Sequence, residues 1–309
     1  MVQLILHHYD FSNYSEKIRV AMGFKALDWA SVTIPPVLPK PDLIALTGGY
    51  RRAPVLQIGA DIYCDTRLVL RELEARAPDP TLYPEGLRGV ANAISAWAEG
   101  PLFRPVMLYA WGTNHDVMPK DLFADRAAMR GLPVPSVNSV TRAAARNAPL
   151  MRIQLPLIEE MLTCGGPWIC GKQFTVADLA VYHAMWFVTD RTKRLSHELT
   201  PYKALQTWMA RVRDLGHGRA QPMTATEALE IARTSSPLDP GPSKPQPEDP
   251  ALGAAVQIRA ADYAQDIVRG TLVFVDDDEI ALRMSNRQVG EVVVHFPRIG
   301  FEFRAASPD

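Results

Sequence analysis

The order of apolar periods in the first 80 residues leaves few folds open. Residues 3–6 form an apolar run of strand length. Ile18, Ala21 and Met22 then recur at helical spacing, and Phe24 closes that surface. In residues 29–34, Val32 and Ile34 alternate against Thr33, the period of a strand. Strand, helix and strand at this spacing make a βαβ unit, whose strands pair in parallel through a right-handed crossover. Pro35-Pro36 and Pro39-Lys40-Pro41 break the chain, and a short helix over about 42–46 is expected to end at Gly48-Gly49. Residues 55–58 and 61–63 read as a hairpin about Gly59-Ala60. From Asp65 a helix is predicted, because Thr66, Val69, Leu70, Leu73 and Ala77 recur at offsets of 3, 4, 7 and 11 before Pro78 and Pro80 end the pattern. The predicted order is β-α-β-α-β-β-α.

From residue 86 to about 233 helical periods dominate. Residues 90–109 read as one long helix, and 141–162 as another that Pro156 should kink. Residues 176–188 are apolar nearly all round and belong in the centre of a helical domain. Tyr202, Leu205, Met209 and Val212 mark a further helix, and 226–233 a last short one. Residues 116–139, with Pro119, Pro133 and Pro135, read as a long surface connection. Six prolines (237, 240, 242, 245, 247 and 250) make 235–250 an extended, semi-rigid linker. Beyond it the texture changes: 271–275, 280–284, 289–296 and 301–303 read as strands of a half-buried antiparallel sheet. So few residues form a marginal core alone, so this module is expected to dock on the helical domain or on a second subunit. The chain thus divides into domains at 1–80 and 86–233, a linker at 235–250 and a β-rich module at 251–309.

A formal net charge of −1 offers no excess of either sign for nucleic acid or an anionic membrane. No apolar stretch approaches the roughly 20 residues needed to span a bilayer, and the first eight residues lack the basic and apolar regions of a signal peptide. Cys64, Cys164 and Cys170 are odd in number and lack metal-like spacing, which suits a reducing, cytoplasmic compartment. Cys164 and Cys170 read as small buried or half-buried side chains. His7 and His8 are adjacent on a strand and face opposite ways, and no partner lies at ligand spacing, so no metal is expected.

Three patterns carry a family resemblance. Phe11-Ser12-Asn13-Tyr14-Ser15-Glu16-Lys17-Ile18-Arg19, between the first strand and helix, resembles the entry loop of bacterial glutathione transferases. Arg51-Arg52-Ala53-Pro54-Val55-Leu56 resembles the Val-Pro turn of the same fold, with Ala53 where valine is common. Phe174-Thr175-Val176-Ala177-Asp178-Leu179 resembles the family's helical-domain signature, in which Thr175 and Asp178 form a capping box beside a Phe174 staple. The resemblance covers residues 1 to about 233. It implies a thioredoxin-like α/β domain, then an all-helical domain, with the C-terminal β module outside the family pattern. It further implies a cis proline at Pro54, which an X-Pro bond tolerates at about 0.5–1 kcal/mol, and a two-fold homodimer.

The resemblance also assigns a site. The loop that holds the redox cysteines in thioredoxin-like relatives has Ser12 and Ser15 here, so it cannot exchange disulfides. Ionising a glutathione thiol near neutral pH means lowering its pKa by about two units, about 2.7 kcal/mol. One charge-assisted hydrogen bond contributes about 1.5–3 kcal/mol and a helix N-terminus about 0.3–1 more. Ser12 is the first candidate for that hydrogen bond, although a serine there also reads as a turn or N-cap residue. Tyr9 is the second, against a plain packing role; Ser15 is expected to cap the helix. Asp65 and Thr66 are expected to hold the γ-glutamyl group at a helix N-terminus, Asp65 doubling as N-cap. Arg52, with Arg51 and Lys40 as alternatives, would grip the glycyl carboxylate, and Ala53 and Pro54 would pair with the peptide backbone. Arg104, Met107, Tyr109 and Trp111 would line the second-substrate pocket for a hydrophobic electrophile, or equally pack a helix core and dimer contact.

Two functions follow. One is a glutathione transferase of the serine type, a detoxification enzyme with glutathione as co-substrate. The other is a non-catalytic binding or regulatory protein on the same scaffold, to which the linker and β module lend themselves.

Overall fold

The computed structural model describes residues 3–191 and 193–306. Its first part runs β1 (Ile5–His8), α1 (Asn13–Phe24), β2 (Asp28–Thr33), α2 (Pro41–Thr47), β3 (Val55–Ile58), β4 (Asp61–Cys64) and α3 (Thr66–Arg76), the order the periods predict. α2 ends on Gly48 at φ 66°, a left-handed cap that a side chain would strain. β1 pairs in parallel with β2 and antiparallel with β3, which pairs antiparallel with β4. The register sets His7 against Val55 and Val55 against Cys64. Three chain segments therefore reach one end of the sheet together: the loop into α1, the Pro54 turn and the entry to α3.

The helical part departs from expectation around its prolines. α4 (Arg88–Trp97) and α5 (Phe103–Thr113) are separated by a π turn, Ala98–Leu102, that contains Pro101. A proline supplies no N–H to the helical ladder, and a widened turn accommodates it. The stretch read as a long loop contains a helix, α6 (Lys120–Ala128), which buries Leu122 and Ala127. Its flanking prolines bracket the helix instead of dissolving it. The expected kinked helix is two helices, α7 (Val137–Arg152) and α8 (Leu155–Cys164), with Pro156 in the first turn of α8, where no N–H is needed. α9 (Val176–Thr189) is buried along almost its whole length. A 3₁₀ segment Lys193–Leu199, α10 (Lys203–Asp214), an unforeseen strand β5 (Arg219–Pro222) and α11 (Ala225–Thr234) complete this part. The three cysteines are free; Cys64 is buried and Cys170 half-buried, but Cys164 is exposed at the end of α8.

The C-terminal residues form β6 (Ala255–Ala260), which the sequence reading missed, β7 (Val268–Val275), β8 (Glu279–Asn286), β9 (Gly290–Pro297) and β10 (Phe301–Ala305). Their seat differs from expectation. β9 pairs in parallel with β4, so all ten strands form one sheet in the order β10-β6-β7-β8-β9-β4-β3-β1-β2-β5. A bare β4 edge would present unpaired backbone groups, and β9 satisfies them. The helical half is touched by the β6–β7 connection, where Ala264 N–H donates to Met129 O at 2.6 Å, and by β9, which packs on α11. The linker is held to the sheet: Leu238 N–H donates to Asp61 at 2.9 Å and Lys244 N–H to Val275 O at 2.8 Å.

Alternation along the strands divides two cores. Leu6, Leu56 and Tyr63 face α1, α3 and the helical half, while Ile5, Val55 and Ile62 face α2, α11 and the buried valines of β9. α9 joins the halves. Thr175 caps it, with Asp178 completing the capping box, and Phe174 packs on Phe24 of α1 with ring centroids 4.5 Å apart. Asp178 accepts from Ile169 N–H, Thr175 N–H and Trp208 Nε1–H at 2.8, 2.9 and 2.9 Å. His7 and His8 are tied into the structure, His7 to Gln57 and His8 to Ser31 and Arg19.

At the seam, buried His295 of β9 lies 2.5 Å from Glu279 Oε1 and 3.1 Å from Asp61 Oδ1, stacked on Tyr63 at 4.4 Å. Arg71 of α3 pairs with Glu279 from the other side. Burial disfavours the imidazolium, but the hydrogen bonds and charges of Asp61 and Glu279 outweigh it and raise the pKa of His295. A raised folded-state pKa gives stability that is complete below about pH 6.5 and lost as pH climbs through the higher folded value. The urea midpoint of the wild type should therefore fall more steeply above neutral pH than that of His295→Gln; parallel profiles would refute this role. Asp178→Ala leaves four buried donors, the Thr175 hydroxyl among them, without this acceptor and should cost about 3–5 kcal/mol in urea unfolding.

Candidate active site

Ser12 opens α1. Its backbone is extended, and its Oγ accepts from Ser15 N–H at 3.1 Å. Ser12, not Ser15, is therefore the cap, and Ser15 lies inside the helix with a buried hydroxyl that has no partner among the described residues. Capping consumes a lone pair of Ser12, so its O–H proton stays free for a ligand at the positive end of α1. The first turn is anchored from beneath by α9: Asn13 Nδ2 donates to His183 Nδ1 at 2.8 Å. Burial, with Lys17 nearby, holds the His183 pKa down to about 3, so the ring is a neutral acceptor. Tyr9 accepts from Arg126 at 3.1 Å and likewise keeps its own proton to donate. Tyr14, which the sequence reading passed over, lines both cavities of the site, and its hydroxyl has no hydrogen-bond partner among the described residues. Burial pushes its pKa well up, so it stays a protonated donor.

Across the sheet end, the Ala53–Pro54 bond is cis. Asp65 sits at φ 71° and caps α3 by accepting from Arg67 N–H at 2.9 Å. Burial raises its pKa. Thr66 accepts from Lys17 Nζ at 3.4 Å, and Lys17 is ion-paired with Glu99 of the π turn. Pro54, Asp65 and Thr66 line a cavity of about 180 Å³, with Tyr14 and Arg52 on its walls. A second cavity of about 570 Å³ shares Tyr14, Arg52, Ala53 and Glu99 with it, and takes in Tyr9, Ser12 and Lys40.

The three candidate cations differ in availability. Arg52, expected to be free for a carboxylate, is taken by the β module: it pairs with Asp262, donates to Tyr263 O and lies 4.0 Å over the Tyr263 ring. Arg51 pairs with Asp125 and Asp266 at 3.3 and 3.1 Å. Lys40 is buried and donates to Arg51 O at 2.9 Å, with no carboxylate in ion-pair range among the described residues. Burial and the Arg126 charge lower its pKa to about 8.

Of the expected second pocket, Arg104, Met107 and Trp111 do line the larger cavity. Tyr109 does not: its hydroxyl donates to Glu198 at 2.6 Å, beside Arg152, on another side of α5. Phe103, Arg126, Arg130 and Phe187 are among the wall residues that escape a reading of the sequence. Arg191, another, stands 4.4 Å over Phe11. The two arginines at 126 and 130 belong to or follow α6, whose flanking prolines hide it in the sequence, and nothing local marks the others.

Residues 6–81 match the family model for the glutathione S-transferase N-terminal domain, and residues 143–216 that for its C-terminal domain. No curated protein matches the sequence. A solved GST-like protein from Pseudomonas syringae is 35% identical at a TM-score of 0.81, covering 99% of this chain and 100% of that one, so the match runs through the β module. A glutathione S-transferase from Methylobacterium radiotolerans, in complex with glutathione sulfonate, is 22% identical over 72% of this chain and 98% of its own, at a TM-score of 0.50. A glutathione transferase family member from Pseudomonas fluorescens, with two glutathione bound, is 10% identical over 69% of this chain and 88% of its own, at 0.53. At such identities the last two share the fold alone. With both domain models matched in order and a 35% identical structure aligned along its full length, the chain belongs to the glutathione S-transferase family.

Proposed function

We propose that this protein is a glutathione transferase of the serine type. The observation that carries the reading is the convergence of Ser12, the Pro54 turn and Asp65-Thr66 on two adjoining cavities at one end of the sheet. In this reading Asp65, Thr66 and the N-terminus of α3 take the ammonium and carboxylate of the γ-glutamyl group. The backbone at Ala53 pairs with the peptide. Lys40 replaces Arg52 as the grip on the glycyl carboxylate, because it alone of the three cations lacks a carboxylate partner among the described residues. The Ser12 hydroxyl donates to the sulfur and favours the thiolate, whose proton leaves to water. The thiolate then attacks an electrophilic carbon in the larger cavity; the C–S bond forms and the leaving group departs with its electron pair. Tyr9 and Tyr14 are the alternative donors.

The three free cysteines and a thiol co-substrate suit a reducing cytoplasm. A homodimer through α3 and α4 suits the exposed face of α4, which carries Val90. A non-catalytic binding protein on the same scaffold is favoured by one observation, the occupation of Arg52 by Asp262 and Tyr263.

Calorimetric titration with glutathione tests the reading. Wild type should bind in the micromolar-to-millimolar range and Asp65→Ala should lose binding. Ser12→Ala should still bind, with the pKa of the bound thiol raised by about 1–2 units, as loss of one charge-assisted hydrogen bond implies. Absence of binding by the wild type would sink the transferase reading.

A further inference from the structure

The larger cavity is far more basic than the chain that builds it. Seven of its lining side chains are cationic and two, Glu99 and Asp262, are acidic, in a protein of net charge −1. Both acids are already engaged, Glu99 by Lys17 and Asp262 by Arg52. On the proposed reading, Lys40 is matched by the glycyl carboxylate. Arg51 and Arg126 share Asp125. That leaves Arg104, Arg130 and Arg191, none of which lines the smaller cavity with Asp65.

None of these three has a carboxylate in ion-pair range among the described residues. Arg191 is half-buried, donates to Phe11 O at 2.5 Å, and stands over Phe11 and Phe187 at 4.4 and 5.6 Å. Burial and the nearby Arg126 charge lower its pKa. Arg130 donates to Arg126 O at 2.9 Å and lies 4.9 Å over Tyr263. Arg104 makes no hydrogen bond or ion pair with the described residues and is exposed at the mouth. A purely apolar substrate would enter by stripping water from these cations and returning nothing to them. The same cavity is lined by Phe11, Phe103 and Trp111, side chains suited to a flat ring.

We infer that the second substrate of this protein is an aromatic electrophile bearing a carboxylate or sulfonate, its ring among Phe11, Phe103 and Trp111 and its anionic group received by Arg191, with Arg104 and Arg130 at the entrance. The inference deepens the transferase reading and rests on it for the reaction, though not for the binding. With an aryl chloride, glutathione thiolate adds at the ring carbon bearing chlorine, the C–S bond forms, and chloride leaves with the bonding pair; one proton is released from the thiol.

The test uses the full chain and two matched pairs. 4-Chloro-3,5-dinitrobenzoate and its carboxamide report conjugation, corrected for their uncatalysed rates. 3,5-Dinitrobenzoate and its carboxamide, which have no leaving group, report binding by calorimetry. The carboxylate should be favoured at least about tenfold in kcat/KM and in affinity, as one charge-assisted contact implies. The preference should shrink as salt rises from 0.05 to 0.5 M and should collapse in Arg191→Gln through weaker binding of the carboxylate alone. Arg104→Gln/Arg130→Gln, at exposed positions, should reduce it even if Arg191→Gln does not fold. Equal binding of carboxylate and carboxamide by the wild type overturns the inference, as does a preference untouched by these substitutions. Selective binding without conjugation sinks the transferase reading and upholds the anion site; equal conjugation of both chlorides does the reverse.

Discussion

Main-chain hydrogen bonds between β4 and β9 close the edge that the first domain would otherwise show to water, and the buried contact of His295 with Asp61 and Glu279 fixes their register. A slip of one residue would turn His295 toward the opposite face and take it from both carboxylates. With β9 fixed, the antiparallel strands β8, β7 and β6 follow in order across the sheet. The β6–β7 connection is then carried to the same sheet end as the Ser12 loop, where Asp262 and Tyr263 meet Arg52. β9 is remote from the Ser12 loop in sequence, yet its pairing decides what the site contains.

The site itself is assembled from polar groups that would be costly to bury singly. Two helix N-termini, each capped by its own side chain, supply N–H groups and partial positive charge without a mobile cation. Lys17 and Glu99 neutralise each other between the two cavities, so the wall that both share carries little net charge. The unmatched positive charge is left to the larger cavity, where arginines lie over aromatic rings that hold them in place without compensating their charge. Rigidity comes from α9, whose neutral His183 and buried Asp178 clamp α1 on one side and the Ile169 loop on the other.

Local signals made much of this legible. The βαβ start, the hairpin at Gly59-Ala60 and the stripe of α3 are short-range patterns whose partners are close in sequence, and the capping box at Thr175 is complete within four residues. The cap at Ser12 was also written in the chain, since an N-cap oxygen reaches the N–H three residues on, and Ser15 stands three after Ser12. α6 is hidden in the sequence because Pro119 and Pro133 look like interruptions yet stand outside the helix. The pairing of Asp61 with Val293 and of Arg52 with Asp262 joins residues more than 200 apart, and no periodicity in either segment names its partner. The convergence of Arg104, Arg130 and Arg191 from three helix ends is of the same kind. Tyr109 shows the converse: it follows the right helix but points off the cavity, which the sequence position alone does not distinguish.

The grip of Asp262 on Arg52 has a further consequence. A carboxylate tethered by the fold is present at its partner at an effective concentration that no free ligand need match in dilute solution, commonly in the millimolar range for a flexible tether. Any small molecule that brings its own carboxylate to Arg52 must displace a rival belonging to the same chain. Recognition at that guanidinium is thus a competition between solute and protein, and its threshold is set by how firmly the β module is seated on β4.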